Sequence, residues 1–212
     1  MMILNQPTLR HFIAASALGL MGALAGCNIA QPAVDDPTRY FVLSEPTVTP
    51  SATTGGARIG LRSIHLEGYL KHREIVVRTG ANEVEFRDYR RWAEPIDVAI
   101  GRVLRAGLAA SPGVAQVVAE PFPLGLERDY DVAIEVRRCE GVATRSGGYG
   151  ASFVASFEVS TTGANPAIVA HKTFVAPDSA WDGHDFGQLA SLLSADASAL
   201  GQEIAAVIAA RN

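Results

Sequence analysis

Two stretches of strict alternation constrain this chain more than anything else in it. In residues 130–138, Tyr130, Val132, Ile134 and Val136 fall on one face and Asp131, Glu135 and Arg137 on the other. In residues 149–159, Tyr149, Ala151, Phe153, Ala155, Phe157 and Val159 share a face. A period of two sends successive side chains to opposite sides of an extended backbone, so both stretches read as β-strands with a buried face. A Gly-rich turn at residues 146–150 joins them, and residues 163–166 turn the chain into a third strand at 168–175. The spacing predicts an antiparallel meander, whose apolar face needs a covering layer.

Two helical segments supply that layer. In residues 95–110, Ile96, Ile100, Val103, Leu104 and Leu108 recur at helical spacing, with Pro95 suited to the first turn and Ser111-Pro112-Gly113 ending the run. In residues 186–209, Phe186, Leu189, Leu193, Leu200, Ile204, Val207 and Ile208 form an apolar stripe behind Asp185, a good N-cap. Further strands are expected at 39–44, 58–66, 74–78, 83–89 and 114–119. The 74–78 and 83–89 pair forms a hairpin around the turn at 79–82. The expected fold is α/β: a single domain with a mixed β-sheet of about six to seven strands packed with two main α-helices.

The N-terminus belongs to a different kind of segment. Residues 1–11 contain Arg10 and no acid, and residues 12–24 are uncharged and apolar. A bilayer-spanning helix needs about 20 apolar residues, so this shorter run reads as an export signal. It leads into Leu24-Ala25-Gly26-Cys27, which resembles the bacterial lipobox, cleaved before a cysteine whose thiol carries a diacylglyceryl group. Residues 1–26 are then a lipoprotein signal peptide, 27–38 a Pro-punctuated tether and 39–212 the domain, with Cys27 as the lipid attachment site. Asn28 follows the cysteine; by resemblance to enterobacterial sorting, a residue other than Asp there favours the outer membrane. Cys139, the one other cysteine, is expected to be a buried or half-buried strand residue.

Chemistry is sparse. Lys plus Arg number 18 against 22 acids, for a net charge of −4, so no basic excess is available for nucleic acid. The chain has no G-x-S-x-G elbow, no H-E-x-x-H and no paired-cysteine metal spacing, and no cofactor is expected. Gly147-Gly148-Tyr149-Gly150 precedes a strand and not a helix, so it reads as a hairpin turn. Asp182, His184 and Asp185 read either as a turn with a helix cap or as ligands for a cation. The run from Arg87 to Trp92 is rich in Arg and aromatics. It is either a strand end with Trp92 wedging the next helix onto the sheet, or a partner contact through Arg90, Arg91 and Trp92.

The residues between 68 and 108 carry a resemblance. Tyr69-Leu70, Arg73-Glu74-Ile75-Val76, Asn82-Glu83-Val84, Arg91-Trp92-Ala93-Glu94-Pro95-Ile96 and Arg102-Val103-Leu104 stand in order, preceded by Tyr40-Phe41-Val42-Leu43 and the lipobox. In these the chain resembles the PqiC family of ABC-type transport auxiliary lipoproteins; Lys71-His72 departs from the family, which often has an acid there. The resemblance implies a non-enzymatic, lipid-anchored protein on the periplasmic face of the outer membrane. Its implied partners are an MCE-domain (PqiB-like) protein with its permease and ATPase, in lipid transport that supports membrane integrity. A homo-oligomeric ring is a further implied possibility. An alternative reading is a periplasmic lipoprotein that itself carries a lipid or small ligand, held by the stripe Tyr149, Phe153 and Phe157.

Overall fold

The computed structural model describes residues 35–47 and 55–211; the signal segment, Cys27 and most of the tether lie outside them. The axis of the sheet is β7 (Tyr130–Ala143), which pairs with β8 (Tyr149–Thr161) in antiparallel register from Tyr130↔Thr161 to Ala143↔Tyr149. β9 (Ile168–Val175) pairs antiparallel with β8, completing the expected meander. Beside it, β10 (Ser179–Trp181) pairs with residues 149–151 of β8.

β7 also pairs with three successive parallel strands: β2 (Ala57–Leu61) at residues 130–132, β3 (His65–Leu66) at 135–136 and β4 (Glu74–Gly80) at 141–142. The sheet forks from there. β6 (Val114–Ala119) joins β2, while β5 (Glu83–Trp92) joins β4 as a hairpin and takes the short parallel strand β1 (Arg39–Phe41) on residues 90–92.

The sheet therefore has ten strands among the described residues, not six to seven. The reasons are local. The expected strand at 58–66 is two, because the chain leaves the ladder at Arg62-Ser63-Ile64, where the Ser63 N–H and hydroxyl donate to Glu120 Oε2. β10 has three residues, too few to show a period. β7 runs past Arg138 because a bulge between Val136 and Arg138 shifts its phase, so Cys139 and Glu140 are both buried and the alternation is lost while the strand continues.

The helices fall where their periodicity put them. α1 (Ile96–Ala109) buries Ile100, Val103, Leu104 and Leu108 completely, and α2 (Phe186–Ala209) does the same with Leu189, Leu193, Leu200 and Ile204. α2 is long and apolar enough to cross a bilayer by composition, but its stripe belongs to the core cluster that also holds α1 and the β7–β8 pair. α1 and α2 approach closely at two glycines. A Cβ on Gly107 would lie 3.3 Å from the Ser198 carbonyl oxygen, and one on Gly201 would lie 3.3 Å from that of Leu104. Glycine costs a helix about 1 kcal/mol relative to alanine, and here it lets the two backbones touch.

Candidate functional site

The string from Arg91 to Pro95 sits where β5, β1 and α1 meet. Trp92 is 4% exposed, and its N–H donates to the Arg73 carbonyl at 2.8 Å, while the Ala93 N–H donates to the Phe41 carbonyl at 2.8 Å. Arg91 Nη2 lies 3.4 Å from Glu74 Oε1 on the neighbouring strand. Glu94 receives Arg102 Nη2 from α1 at 2.5 Å. The same nitrogen donates to the Leu43 carbonyl at 2.9 Å, and Nη1 donates to Glu45 Oε1 at 3.1 Å. The acids hold the Arg102 guanidinium above its ordinary pKa, Glu94 foremost. The string is thus a corner that fastens two strands and a helix. Trp92 ends β5 inside the core.

Of the three residues named for a partner contact, Trp92 is in the core, Arg91 is tied to Glu74, and Arg90 is half-buried with its guanidinium 5.7 Å from the Phe186 ring centroid. The apolar surface beside them belongs to Tyr40, Val42 and Tyr89, each at least half exposed. Tyr89 lies inside the Arg-rich run; Tyr40 and Val42 come from the other end of the domain and only the β1–β5 pairing brings them near.

Asp182, His184 and Asp185 form a turn and a cap. Asp182 Oδ1 accepts the N–H groups of His184 and Asp185, both at 2.7 Å, and these donors hold its carboxyl below the usual range, Asp185 foremost. Asp185 Oδ1 accepts the N–H of Gly187 and Gln188, capping α2. Gly183, at φ +81°, makes the bend, and a side chain there would strike the Tyr149 ring. Among the described residues, no three His, Cys, Asp or Glu side chains converge to hold a metal ion. The stripe proposed as a ligand wall is core: Phe153 and Phe157 are each 1% exposed, and Tyr149 packs edge-on against Trp181.

The sequence reading missed two buried acids, Glu140 and Asp196, and the half-buried Tyr69 beside Glu140. Glu140 is fully buried on β7, with Arg78 Nε on Oε1 at 2.6 Å and nothing on Oε2. Tyr69 completes the cluster: its hydroxyl donates to the Arg137 carbonyl at 2.9 Å, and burial followed by the Glu140 charge pushes its pKa up to about 12. Asp196 on α2 is 7% exposed with Oδ2 unpartnered, and burial pushes it up to about 6. Cys139, buried as expected, has its thiol pushed upward by burial, so it is inert as a nucleophile. A cue for Asp196 was present, since it stands three after Leu193 and four before Leu200, within the apolar stripe.

No curated protein matches the chain. Its fold is similar to that of XCC0632 from Xanthomonas campestris, with a TM-score of 0.66 and 17% identity over 79% of this chain and 93% of that one. It is similar also to an uncharacterised protein of known crystal structure, with a TM-score of 0.61 and 16% identity over 80% and 97% of the two chains. Residues 41–205 match the family model of the ABC-type transport auxiliary lipoprotein component. That span runs from the end of β1 to the last turns of α2 and takes in the Trp92 corner, the Glu140 cluster and the whole meander; the chain belongs to the family of ABC-type transport auxiliary lipoprotein components.

Proposed function

We propose that this protein is a non-catalytic, lipid-anchored subunit that ties the periplasmic part of an envelope lipid transport system to the outer membrane. The family match over residues 41–205 carries the reading, since that family is an auxiliary component of ABC-type transport. The lipobox ending at Cys27 supports the anchor, and Asn28 after it supports outer-membrane sorting. The polar clusters support a non-catalytic role, because they serve the fold: Asp182 and Asp185 hold a turn and a cap, and Glu94 and Arg102 hold a corner.

The partner fitting this role is a membrane-anchored MCE-domain protein, PqiB-like, with its permease and ATPase. The exposed Tyr40, Val42 and Tyr89, with the half-buried Arg90 beside them, offer the aromatic and cationic surface that interface hot spots favour. Several copies around a ring-shaped partner would make a matching ring. The experiment is Cys27→Ala in a strain dependent on the chain for envelope integrity. The expected result is a folded, unlipidated protein that fails to restore integrity. Full complementation by the unlipidated protein contradicts the anchoring role.

A further inference from the structure

One edge of β5 is left open over most of its length. β4 pairs with β5 on one side from Glu83 to Arg91, but on the other side β1 covers only Arg90 to Trp92. Among the described residues, no strand pairs with residues 83–89 on that side. An uncovered edge presents main-chain N–H and C=O groups at strand spacing. Between this edge and the start of α2 lies a groove of about 680 Å³, lined along β5 from Glu85 to Arg90 and across from it by Gly183, His184 and Phe186. Phe86 and Tyr89 on the edge are 39% and 52% exposed.

The end of the open edge where β1 begins is basic. Arg39 and Arg90 are register partners across the parallel β1–β5 pair, so two like charges stand side by side. Their guanidinium groups lie 5.9 Å and 5.7 Å from the ring centroids of Phe41 and Phe186, and those two rings are 6.1 Å apart. Neither arginine makes an ion pair among the described residues, whereas Arg87, Arg91 and Arg102 are each paired with a carboxylate. Of the acids lining the groove, Glu85 is spent on Arg87 at 3.0 Å, and Asp88 pairs with neither arginine. An anion brought to this pair relieves the repulsion. The protein's net charge of −4 makes that attraction local to this end of the groove.

The open edge and the basic pair ask for two features in one occupant. A lipid head group or a saccharide supplies anions or hydroxyls, but no row of amides at strand spacing. A helix has spent its amides on itself. An extended peptide with acidic side chains supplies both.

We propose that a partner protein adds an extended, acidic segment to the open edge of β5, with a carboxylate at Arg39 and Arg90 and apolar side chains against Phe86 and Tyr89. This rests on the docking role proposed above for the surface around Tyr40 and Tyr89, and specifies how the partner is held.

The test uses the full-length protein in growing cells. A photoreactive benzoylphenylalanine is placed at Glu83 and, separately, at Asp88, both exposed on the edge, and as a reference at Val175, which is 65% exposed on β9. After irradiation the adducts are digested and mapped by mass spectrometry. The expected result is a protein adduct from both edge positions, well above that at Val175, in one acidic segment of the partner. The two attachment points should be about five residues apart, because an extended partner advances at the rate of β5 itself; a helix laid on the edge would separate them by about eleven. Arg39→Glu with Arg90→Glu should lower the yield about tenfold, while Arg39→Lys with Arg90→Lys, which keeps both charges, should retain most of it. That contrast separates lost charge from lost folding. The proposal is overturned by a lipid or saccharide adduct, by an adduct on a second copy of this chain, by helical spacing, by a yield no higher than at Val175, or by indifference to the charge reversal. Co-purification of transport components without an edge adduct overturns the strand addition alone; absence of both overturns the docking role as well.

Discussion

Asp196 is a buried acid in the core, without a charge partner among the described residues. It is an acid in the stripe of α2 with an oxygen that nothing accompanies, and burial holds its pKa at about 6, above the ordinary 3.8. A carboxyl whose folded pKa is raised stabilises the fold only while it is protonated. The Asp196 contribution is therefore most favourable near pH 4 and below, falls as pH rises to about 6, and is flat beyond, a loss of roughly 3 kcal/mol. Asp196→Ala should remove that loss. Urea unfolding should show the variant more stable than the parent at pH 7, with the gap closing toward pH 4; an equal gap at both pH values contradicts the assignment. Arg78 and Glu140 behave differently, because each charge has its counterpart. Arg78→Ala leaves Glu140 fully buried and unpaired, which costs about 3–5 kcal/mol. Adding Glu140→Ala should recover part of that loss, measured as a coupling energy in a double-mutant cycle. Neither Glu140 nor its partner was legible from residue order. Alternation had lost its phase at the bulge, and Arg78 is 62 positions from Glu140.

Elements were legible wherever a period survived for several residues. α1, α2, β6, β8 and β9 lie within two residues of where periodicity and turn residues put them; α1, α2 and β8 have a buried face that repeats along them, while β6 and β9 are bounded by turn residues. β10 and the break between β2 and β3 were not legible, since they depend on the neighbouring backbone: Arg62 N–H donates to the Val132 carbonyl, and Trp181 Nε1–H to that of Asp185. The Asp185 cap was readable because a short acid before an apolar run has a direct local effect. Asp185→Ala should cost about 1 kcal/mol in urea unfolding, with the far-UV spectrum unchanged at low denaturant. Trp92 closes β5 against the core, so Trp92→Ala should cost about 3–5 kcal/mol, and Arg90→Ala well under 1 kcal/mol. The pair of measurements separates the residue that holds the corner from the one that borders the exposed surface.

For the whole molecule, the residues that made the family recognisable are largely those that hold the fold together. Tyr69 reaches the Arg137 carbonyl, Leu70 and Ile75 are buried, Arg73 accepts the Trp92 N–H, and Arg102 binds Glu94. Such a signature identifies the scaffold and leaves other surfaces exposed beside it. The exposed patch around Tyr40 and Tyr89 is one such surface. The export signal and Cys27 stand outside the described residues, and the sequence alone speaks for them. Membership of an envelope transport assembly is testable by affinity purification of the full-length protein from membranes. The expected result is that an MCE-domain protein, with its permease and ATPase, co-purifies in stoichiometric amounts, and that substitution of Tyr40 and Tyr89 by Ala reduces their recovery. Recovery of the lipidated, folded protein with no transport component attached would contradict it.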